Sequence, residues 1–455
     1  MANVVVSVPG DKSTSTRALL LALLAEGRCT IDNVPLGRTT EHVLAVLRQL
    51  GADVDVVGTT VVVAPPAALP SGQTLHCGGS ATLARILLGL LAGANVDAVV
   101  DGSEMLRRRP MERVSKPLAA YFGREVVTLD QGHLPARIHR GAPPTSTEPI
   151  ACMDSAQVRS ALCFAALTAG RPFPVANTAT IKARRAFETL CSEIGIAWPE
   201  PRVPTFRAMT PNDPSAAAFP LALALGLGCG LAIDGPVNDD PGRAGFIVAL
   251  QMLGARFPPR RLGDEFTDSA SRVGELSTGS SPGGDEFATD VARDRTRILK
   301  RTQPLRGIIV AADPVPPAGL TQGPHVYALG LWQLIDEVPL LAALCALATT
   351  SSRLCGLAEL RVKESDRVSR TAEMLQAFGA AVVEEGDDLV IEPAQLRRPT
   401  STIRTDHDHR IAMTALTLGR ILDVEVELDD ESCVEESWPG FVAFMKDTAC
   451  RLRCP

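Results

Sequence analysis

Six stretches of the chain share one pattern of polar and apolar positions, spaced roughly 60–75 residues apart in all intervals but one. Each stretch begins with a polar residue typical of a helix N-cap, continues as an apolar helix rich in small residues, and ends at a glycine or a turn. The polar starts are Ser13-Thr14-Ser15, Ser80, Ser155, Ser215, Asp336 and Asp408. This pattern predicts an internal repeat of six α/β units.

Each unit is also predicted to contain a second helix, at 40–50, 111–121, 184–195, 243–254, 365–379 and 437–447. Between the helices, apolar and polar residues alternate in a way that predicts strands with one covered face, within 4–8, 52–65, 95–102, 380–393 and 424–430. Helix N-termini carry free N–H groups and a positive half-dipole. A fold that brings several of them together is therefore suited to binding anions.

Two stretches depart from the repeat. The interval between the helix starts at 215 and 336 is much longer than the others, and residues 258–287 within it are rich in Gly, Ser, Pro and charge. We therefore expect an exposed, flexible insertion over 258–290. The apolar run 216–233 is long enough for a membrane span, but Pro220 and several glycines favour a buried helix that turns into a strand.

Composition limits the choice of partners. A chain of 455 residues is long for one core and suits two domains. The net charge of −7 argues against a nucleic-acid-binding surface, so any bound anion must meet a local basic cluster. The eleven cysteines show neither C-x-x-C nor zinc-site spacing, and the N-terminal segment lacks signal-peptide features. We expect a cytoplasmic protein with reduced thiols and no membrane partner.

Charged and hydroxyl residues cluster at the predicted helix starts. The segments are PGDKSTSTR (9–17), CGGSATLAR (77–85), LRRRPM (106–111), DSAQVR (154–159), IDEVP (335–339), RVKESDR (361–367) and DHDHR (406–410). Capping or a solvated charged face explains each one alone, but all seven occupy equivalent places in the repeat, which favours a shared anion-binding cleft. His407 and His409 suggest a metal site only weakly, because no other His-rich segment accompanies them, and we expect no metal.

These segments, in this order, resemble those of the 5-enolpyruvylshikimate-3-phosphate synthase family, the 3-phosphoshikimate 1-carboxyvinyltransferases. The most specific match is RVKESDR together with DHRIAM, and the resemblance covers nearly the whole chain outside 258–290. It implies an α/β fold of two domains, each built from three βαβαββ units around an interdomain cleft. The N-terminal domain would cover 10–212 and the C-terminal domain 1–9 plus 213–455, with the hinge near Pro9-Gly10 and Asp213.

The resemblance also implies a reaction: the enolpyruvyl group of phosphoenolpyruvate (PEP) is transferred to the 5-hydroxyl of shikimate 3-phosphate, and phosphate is released without a metal or organic cofactor. Such a transfer needs a base for the hydroxyl proton and an acid for the enol methylene. Asp336 and Glu364 resemble these carboxylates, and Lys12 resembles the contact to the bridging oxygen of the leaving phosphate.

Binding residues are implied in the same way. The PEP contacts would be Lys12, Gly79, Ala81, Arg109, Gln157, Arg367, His409 and Arg410. The shikimate 3-phosphate contacts would be Lys12, Ser13, Arg17, Ser155, Ala156, Gln157, Arg184, Asp336 and Lys363, with Lys182 as the alternative to Arg184. The partners would then be these small molecules alone, and we expect a monomer.

Some positions differ from the family's usual residues. Gly79 replaces an Asn and Ala81 a Gly, ARRAFE at 183–188 replaces a typical SRDHTE, and Glu436 stands where some members carry a cation. These departures leave two alternatives open: an enolpyruvyl transferase acting on another cyclic polyol phosphate, and a non-catalytic metabolite-binding paralogue. Ala81 and the SAQ at 155–157 also resemble glyphosate-insensitive members, in which the alanine methyl narrows the PEP subsite.

Overall fold

The structure is a computed structural model, in which two sets of elements follow one another along the chain. It describes residues 4–146, 150, 155–171, 187, 190–192, 194–196, 202–238, 245–253, 255, 296–298, 309–310, 326–327 and 334–453. The predicted insertion 258–290 and the alternative residues Lys182 and Arg184 lie outside these ranges, as do six of the twelve residues of the predicted helix 184–195.

The first set runs to residue 209. Its strands are β1 (Val4–Val6), β2 (Cys29–Asp32), β3 (Asp53–Val57), β4 (Thr60–Ala64), β5 (Gln73–His76), β6 (Ala98–Asp101), β7 (Val127–Asp130), β8 (His133–Ile138) and β9 (Arg207–Met209). Its helices are α1 (Lys12–Ala22), α2 (Arg38–Gln49), α3 (Ala81–Gly93), α4 (Glu104–Arg107), α5 (Glu112–Phe122) and α6 (Ala156–Thr168).

The second set occupies the remainder of the chain. Its strands are β10 (Leu231–Ile233), β11 (Thr296–Ile298), β12 (Ile309–Val310), β13 (Val326–Tyr327), β14 (Ser352–Leu354), β15 (Ala381–Glu385) and β16 (Asp388–Glu392). Its helices are α7 (Pro214–Leu227), α8 (Gly245–Met252), α9 (Val338–Ala346), α10 (Arg367–Ala377), α11 (His409–Leu422) and α12 (Phe441–Arg453), with 3-10 helices at Ala358–Val362 and Ser432–Glu436.

Three sheets repeat one strand order, which makes the internal repeat visible. The orders are β9-β2-β4-β3, β5-β6-β8-β7 and β12-β14-β16-β15, the last extended by β13 beyond β12. In each sheet the first two strands are parallel and the last two form an antiparallel hairpin. The fourth sheet is β1-β10-β11, with β1 and β10 parallel. The total of six units stays a prediction.

Within the described ranges, apolar side chains form two separate cores. One draws its buried residues from 18–206, and the other from Val6, Val8 and 217–452. Because β1 pairs with β10, the first strand lies with the second core. Both observations support the predicted division at 10–212 and 1–9 plus 213–455, which stays a prediction.

The chain passes between the two cores at two adjacent points. The Asp11 N–H donates to the Pro211 carbonyl (2.7 Å), and the Asp213 N–H donates to the Pro9 carbonyl (2.9 Å). Gly10 is required here, because a Cβ atom at this position would lie 1.8 Å from the Asn33 carbonyl oxygen. Asp11 and Asp213 also cap α1 and α7, so the crossing fixes two helix starts side by side.

Three predicted helix starts are confirmed and three are wrong. Ser80, Ser155 and Asp408 are N-caps whose side chains accept backbone N–H bonds. At α1 and α7 the caps are Asp11 and Asp213, because an aspartate two or three residues upstream reaches the free N–H groups first. At α9 the N-cap residue is Glu337, which makes no side-chain capping bond, so Asp336 is not a cap.

Most other predicted elements are present. Second helices occur as α2, α5, α8, α10 and α12, and the apolar run 216–233 folds as α7 followed by β10, as predicted. No helix within the described ranges is long and apolar enough to cross a membrane. The predicted strand 424–430 is wrong. Among the described residues its pairing is a single isolated bridge between Leu428 and Ile403, so no ladder of backbone hydrogen bonds forms there.

Helices α3 and α6 pack with almost no space between their backbones. A Cβ atom on Gly89 would lie 1.9 Å from the Ala161 carbonyl oxygen, and one on Gly93 would lie 2.1 Å from that of Ala165. The two glycines therefore set the separation of the helices whose N-termini carry CGGSATLAR and SAQVR.

We expect Gly89→Ala to lower the free energy of unfolding by about 1–3 kcal/mol, because overpacking against backbone outweighs the better helix propensity of alanine. Urea unfolding measures the change. Gly79→Ala is the matched control, since its added methyl would meet only the flexible Met105 side chain, at 3.5 Å. A Gly89→Ala protein as stable as the unaltered chain would contradict the close packing.

Candidate active site

The buried guanidinium of Arg367 joins carboxylates from three helix starts. Arg367 is the first residue of α10 and is 2% exposed. Its Nε donates to Asp408 Oδ2 (2.8 Å), its Nη2 to Glu364 Oε2 (2.7 Å) and its Nη1 to Asp336 Oδ1 (3.2 Å). The segments IDEVP, RVKESDR and DHDHR therefore meet at one point, as their equivalent places in the repeat predict.

Glu364 links this cluster to the other half of the molecule. Its Oε1 accepts a hydrogen bond from Arg109 Nη1 (3.0 Å), which comes from the LRRRPM segment before α5. Burial alone would raise the pKa of Glu364, but Arg367 and Arg109 outweigh burial and hold that pKa well below its usual range. Glu364 is therefore a carboxylate held between two cations.

Lys12 and His409 lie within the same charged cluster. Burial lowers the pKa of Lys12 most, and the nearby Arg410 lowers it further. Three carboxylates oppose that shift: Asp213, Glu364 and Asp336. Burial also lowers the pKa of His409, followed by the charges of Lys12 and Arg410, so the imidazole is neutral at physiological pH. His407, by contrast, is exposed and pairs with Asp430 (Nδ1 to Oδ2, 2.6 Å), so the two histidines do not share a site.

A second group of predicted residues lies where α1 meets α6. Arg17 Nη1 donates to the Ser13 carbonyl (2.9 Å), and its Nη2 donates to the Ala156 carbonyl (3.4 Å). Ser155 caps α6 by accepting the Val158 N–H (3.4 Å). Two helix N-termini and one buried guanidinium thus converge, which is an arrangement suited to an anionic group.

Gln157 connects this second group to the start of α3. Its Nε2 donates to Thr82 Oγ1 (2.9 Å), and its Oε1 accepts from Arg85 Nη1. Ala81 is the first residue of α3 and is buried, and Gly79 lies two residues before it. The CGGSATLAR segment therefore lies beside SAQVR, as predicted.

The Lys363 side chain contacts a residue outside the two groups. Lys363 Nζ donates to Glu359 Oε1 (3.3 Å) at the end of a 3-10 helix, although Lys363 neighbours Glu364 in sequence. Arg184 cannot be placed, since it lies outside the described ranges.

Sequence reasoning missed three buried residues that hold the predicted ones. The pattern predicts Asp408 only as a cap, and this carboxylate also accepts a hydrogen bond from Arg367. Glu337 is 6% exposed, accepts from Ser215 Oγ, and places its Oε1 3.8 Å from Arg410 Nη1. Arg85 binds Gln157. Each of the three lies inside one of the seven charged segments at the predicted helix starts. The sequence signal for a further role was a charged residue at the start of an apolar helix.

Comparison with known proteins agrees with this geometry. The family model for EPSP synthase (3-phosphoshikimate 1-carboxyvinyltransferase) matches residues 2–255 and 312–445, and the unmatched stretch contains the predicted insertion. A 3-phosphoshikimate 1-carboxyvinyltransferase of Acidiphilium cryptum (strain JF-5) is 34% identical over 464 residues, covering 97% of this chain and 93% of the relative.

Solved structures show the same fold. EPSP synthase from Acinetobacter baumannii matches with a TM-score of 0.69 and 24% identity, covering 98% of this chain and 95% of that one. The enolpyruvyl transferase NikO from Streptomyces tendae matches with a TM-score of 0.60 and 18% identity, covering 98% and 94%. The predicted two-domain α/β fold is confirmed. From the family match and the near-full-length relatives together, the chain belongs to the EPSP synthase (3-phosphoshikimate 1-carboxyvinyltransferase) family of enzymes.

Proposed function

We propose that this chain transfers the enolpyruvyl group of PEP to the 5-hydroxyl of shikimate 3-phosphate and releases phosphate, as a step of the shikimate pathway. The observation that carries the proposal is the pair of hydrogen bonds that Glu364 accepts, one from Arg109 in the other half of the molecule and one from Arg367 in its own half. A site that combines several cations with paired carboxylates can both bind an anionic substrate and move protons. The family match supports these two substrates.

PEP would bind at the Arg367 cluster. Arg109, Arg367 and Arg410 offer planar donor pairs for its phosphate and carboxylate groups, and Lys12 offers a compact charge for the bridging oxygen. Each of the three guanidinium groups lies beside a carboxylate, which orients it. Neutral His409, together with Gly79, Ala81 and Gln157, would complete the PEP contacts.

Shikimate 3-phosphate would bind where α1 and α6 begin. Ser13, Arg17, Ser155, Ala156 and Gln157 supply donors and two helix N-termini for its phosphate and hydroxyl groups. Lys12, at the start of α1, would also contact it, as would Asp336 and Lys363, with Arg184 as a further proposed contact. The acceptor hydroxyl would then lie between the two groups of residues.

The two carboxylates suit different proton transfers. Asp336, with 39% of its side chain exposed, would accept the hydroxyl proton. Glu364 is ionised because Arg367 and Arg109 hold its pKa low. An anionic substrate that binds those arginines would compensate their charge and raise the pKa of Glu364, which would allow it to carry a proton to the enol methylene. Substrate binding would in this way allow Glu364 to become protonated and act as the acid.

The alternatives receive less support. A different cyclic polyol phosphate as acceptor is favoured only by the departures at Gly79 and 183–188, and the likeness to NikO shows the fold alone. A non-catalytic paralogue does not need the paired carboxylates, and the relatives are enzymes. We further propose a cytoplasmic location, which is supported by the scattered spacing of the eleven cysteines, a pattern typical of reduced thiols. A monomer stays a prediction.

Phosphate release by the purified chain tests the proposal. We expect continuous release with PEP plus shikimate 3-phosphate, and none with either substrate alone or with PEP plus unphosphorylated shikimate. Turnover with another polyol phosphate but not with shikimate 3-phosphate would identify the alternative acceptor. No turnover with any acceptor would contradict the enzymatic proposal.

Replacing either proposed proton carrier should remove activity but keep the fold. We expect Asp336→Asn and Glu364→Gln each to reduce turnover by roughly 10²- to 10⁴-fold, the usual contribution of a positioned acid or base. Glu373→Gln is the control, because this carboxylate also lies on the Arg367 helix but is 50% exposed and pairs with Arg370. Near-normal rates in both site variants would remove them from the mechanism.

The pH dependence of the free energy of unfolding should show whether Glu364 is ionised in the folded protein. We expect Glu364→Gln to lower the free energy of unfolding at neutral pH by about 1–3 kcal/mol, the scale of hydrogen bonds to charged groups. Because folding lowers the pKa of Glu364, its contribution is present above its ordinary value of 4.5 and is lost as the pH falls below that value. The difference between the two proteins in urea unfolding should therefore narrow on acidification below 4.5. A difference that stays constant or widens would show that Glu364 is not held ionised.

Ala81 should weaken inhibition by glyphosate, which by the family resemblance occupies the PEP subsite. One methyl group in a tight site costs about 1–3 kcal/mol, so we expect Ala81→Gly to tighten glyphosate binding roughly 5- to 150-fold. Inhibition constants are compared at matched PEP saturation. Ala94→Gly, at the other end of the same helix, is the control and should leave inhibition unchanged. Equal constants for the unaltered chain and Ala81→Gly would exclude the steric effect.

A further inference from the structure

We propose that Arg85 is a positioning residue that fixes the side chain of Gln157 and anchors the backbone next to Arg109, and so holds two PEP contacts in place. This inference rests on the proposed function. Arg85 belongs to α3, one turn beyond Ala81, and is itself 5% exposed. It therefore acts from behind the site and not as a substrate contact.

The bonds of Arg85 determine how the Gln157 amide is oriented. Arg85 Nη1 donates to Gln157 Oε1. Because a guanidinium has only donors, the amide must turn its oxygen towards Arg85 and its nitrogen away. That nitrogen then donates to Thr82 Oγ1 at 2.9 Å. The oxygen and the nitrogen of the Gln157 amide are therefore both bound by residues of α3. One N–H of the amide nitrogen takes no part in these two bonds.

The other arm of the guanidinium reaches the Arg109 segment. Arg85 Nη2 donates to the Pro110 carbonyl at 3.1 Å, directly after Arg109 in the chain. Arg109 in turn donates to Glu364 across the two halves (3.0 Å). One buried side chain thus ties together the start of α6 and the segment before α5, from which two of the proposed PEP contacts project.

The charge of Arg85 argues against a role in packing alone. Burial, followed by the charges of Arg109 and Arg113, lowers its pKa to about 10, so it stays protonated at neutral pH among other cations. Its Nε has no hydrogen-bond partner within the part of the chain that the structure describes. An apolar side chain would fill this space at lower cost. An apolar side chain cannot donate hydrogen bonds, whereas the rigid, planar guanidinium donates them in two directions.

A double-mutant cycle tests the positioning role. We expect Arg85→Met to lower kcat/KM for PEP by about 10- to 100-fold, mainly through KM, and Arg85→Lys, which keeps the charge without the fork, to have an intermediate effect. In a Gln157→Met background, the fold loss in kcat/KM caused by Arg85→Met should be at least about threefold smaller than in the unaltered chain, because Gln157→Met has already removed part of the effect. Equal losses in both backgrounds would overturn the proposal.

Arg48→Met is the matched control, because Arg48 also donates to a backbone carbonyl, that of Val54 (3.0 Å), but lies on α2 away from Gln157. Its kcat/KM should be unchanged. If Arg85→Met does not fold, Thr82→Val takes its place in the cycle, since it releases the other end of the same amide. Additive effects of Thr82→Val and Gln157→Met would then count against the proposal.

A second measurement does not depend on turnover. The side-chain amide signals of Gln157, assigned by their loss in Gln157→Met, should move towards those of solvent-exposed glutamines in Arg85→Lys and stay in place in Arg48→Met. Unchanged signals in Arg85→Lys would overturn the positioning role even in an active enzyme. Shifted signals in a chain that lacks turnover with PEP and shikimate 3-phosphate would instead retain that role and remove the proposed function.

Discussion

The buried ion cluster around Arg367 is the interaction on which the rest of the site depends. Burial alone would lower the pKa of Arg367, but Asp408, Glu364 and Asp336 together raise it. The three carboxylates belong to different helix starts, so the same guanidinium that satisfies them also sets the spacing of those helices. Buried ion pairs contribute little net stability, and removing one partner leaves the others uncompensated. The cluster is therefore better explained by the geometry it enforces than by the stability it adds.

The crossing of the chain between the two cores has a similar role. Asp11 and Asp213 each cap a helix, and each is hydrogen-bonded to the opposite crossing segment. The Lys12 N–H in addition lies 3.4 Å from Asp213 Oδ2. A residue at the start of α1 is thereby placed at the boundary between the cores, where the charges of both halves reach it. Helix N-termini that face one another across such a boundary are suited to binding anions, even when the protein as a whole carries no net positive charge.

Local pattern was enough to predict most elements and to indicate which segments would meet. It could not give the exact caps, because Asp11 and Asp213 compete with nearby serines for the same free N–H groups, and the winner depends on the backbone angle at the crossing. Nor could it identify buried charges whose partners are distant in sequence. Arg85 and Gln157 are 72 positions apart, and Ser215 and Glu337 are 122 apart. The charges of Arg85 and Glu337 at the starts of apolar helices are visible in the sequence. Their role becomes evident only once the partner residue is known.

The departure at Glu436 illustrates how a change of charge is accommodated by residues from the other half of the molecule. An anion stands here where some family members carry a cation, and a substitution of that kind would by itself repel an anionic substrate. Glu436 Oε1 lies 3.9 Å from Arg38 Nη1, and its carbonyl accepts from Thr39 Oγ1 at 3.1 Å. Both partners belong to the start of α2, in the opposite half of the molecule. The added negative charge is thus met by a positive charge from across the boundary, and none of the hydrogen bonds of Arg367 involves it.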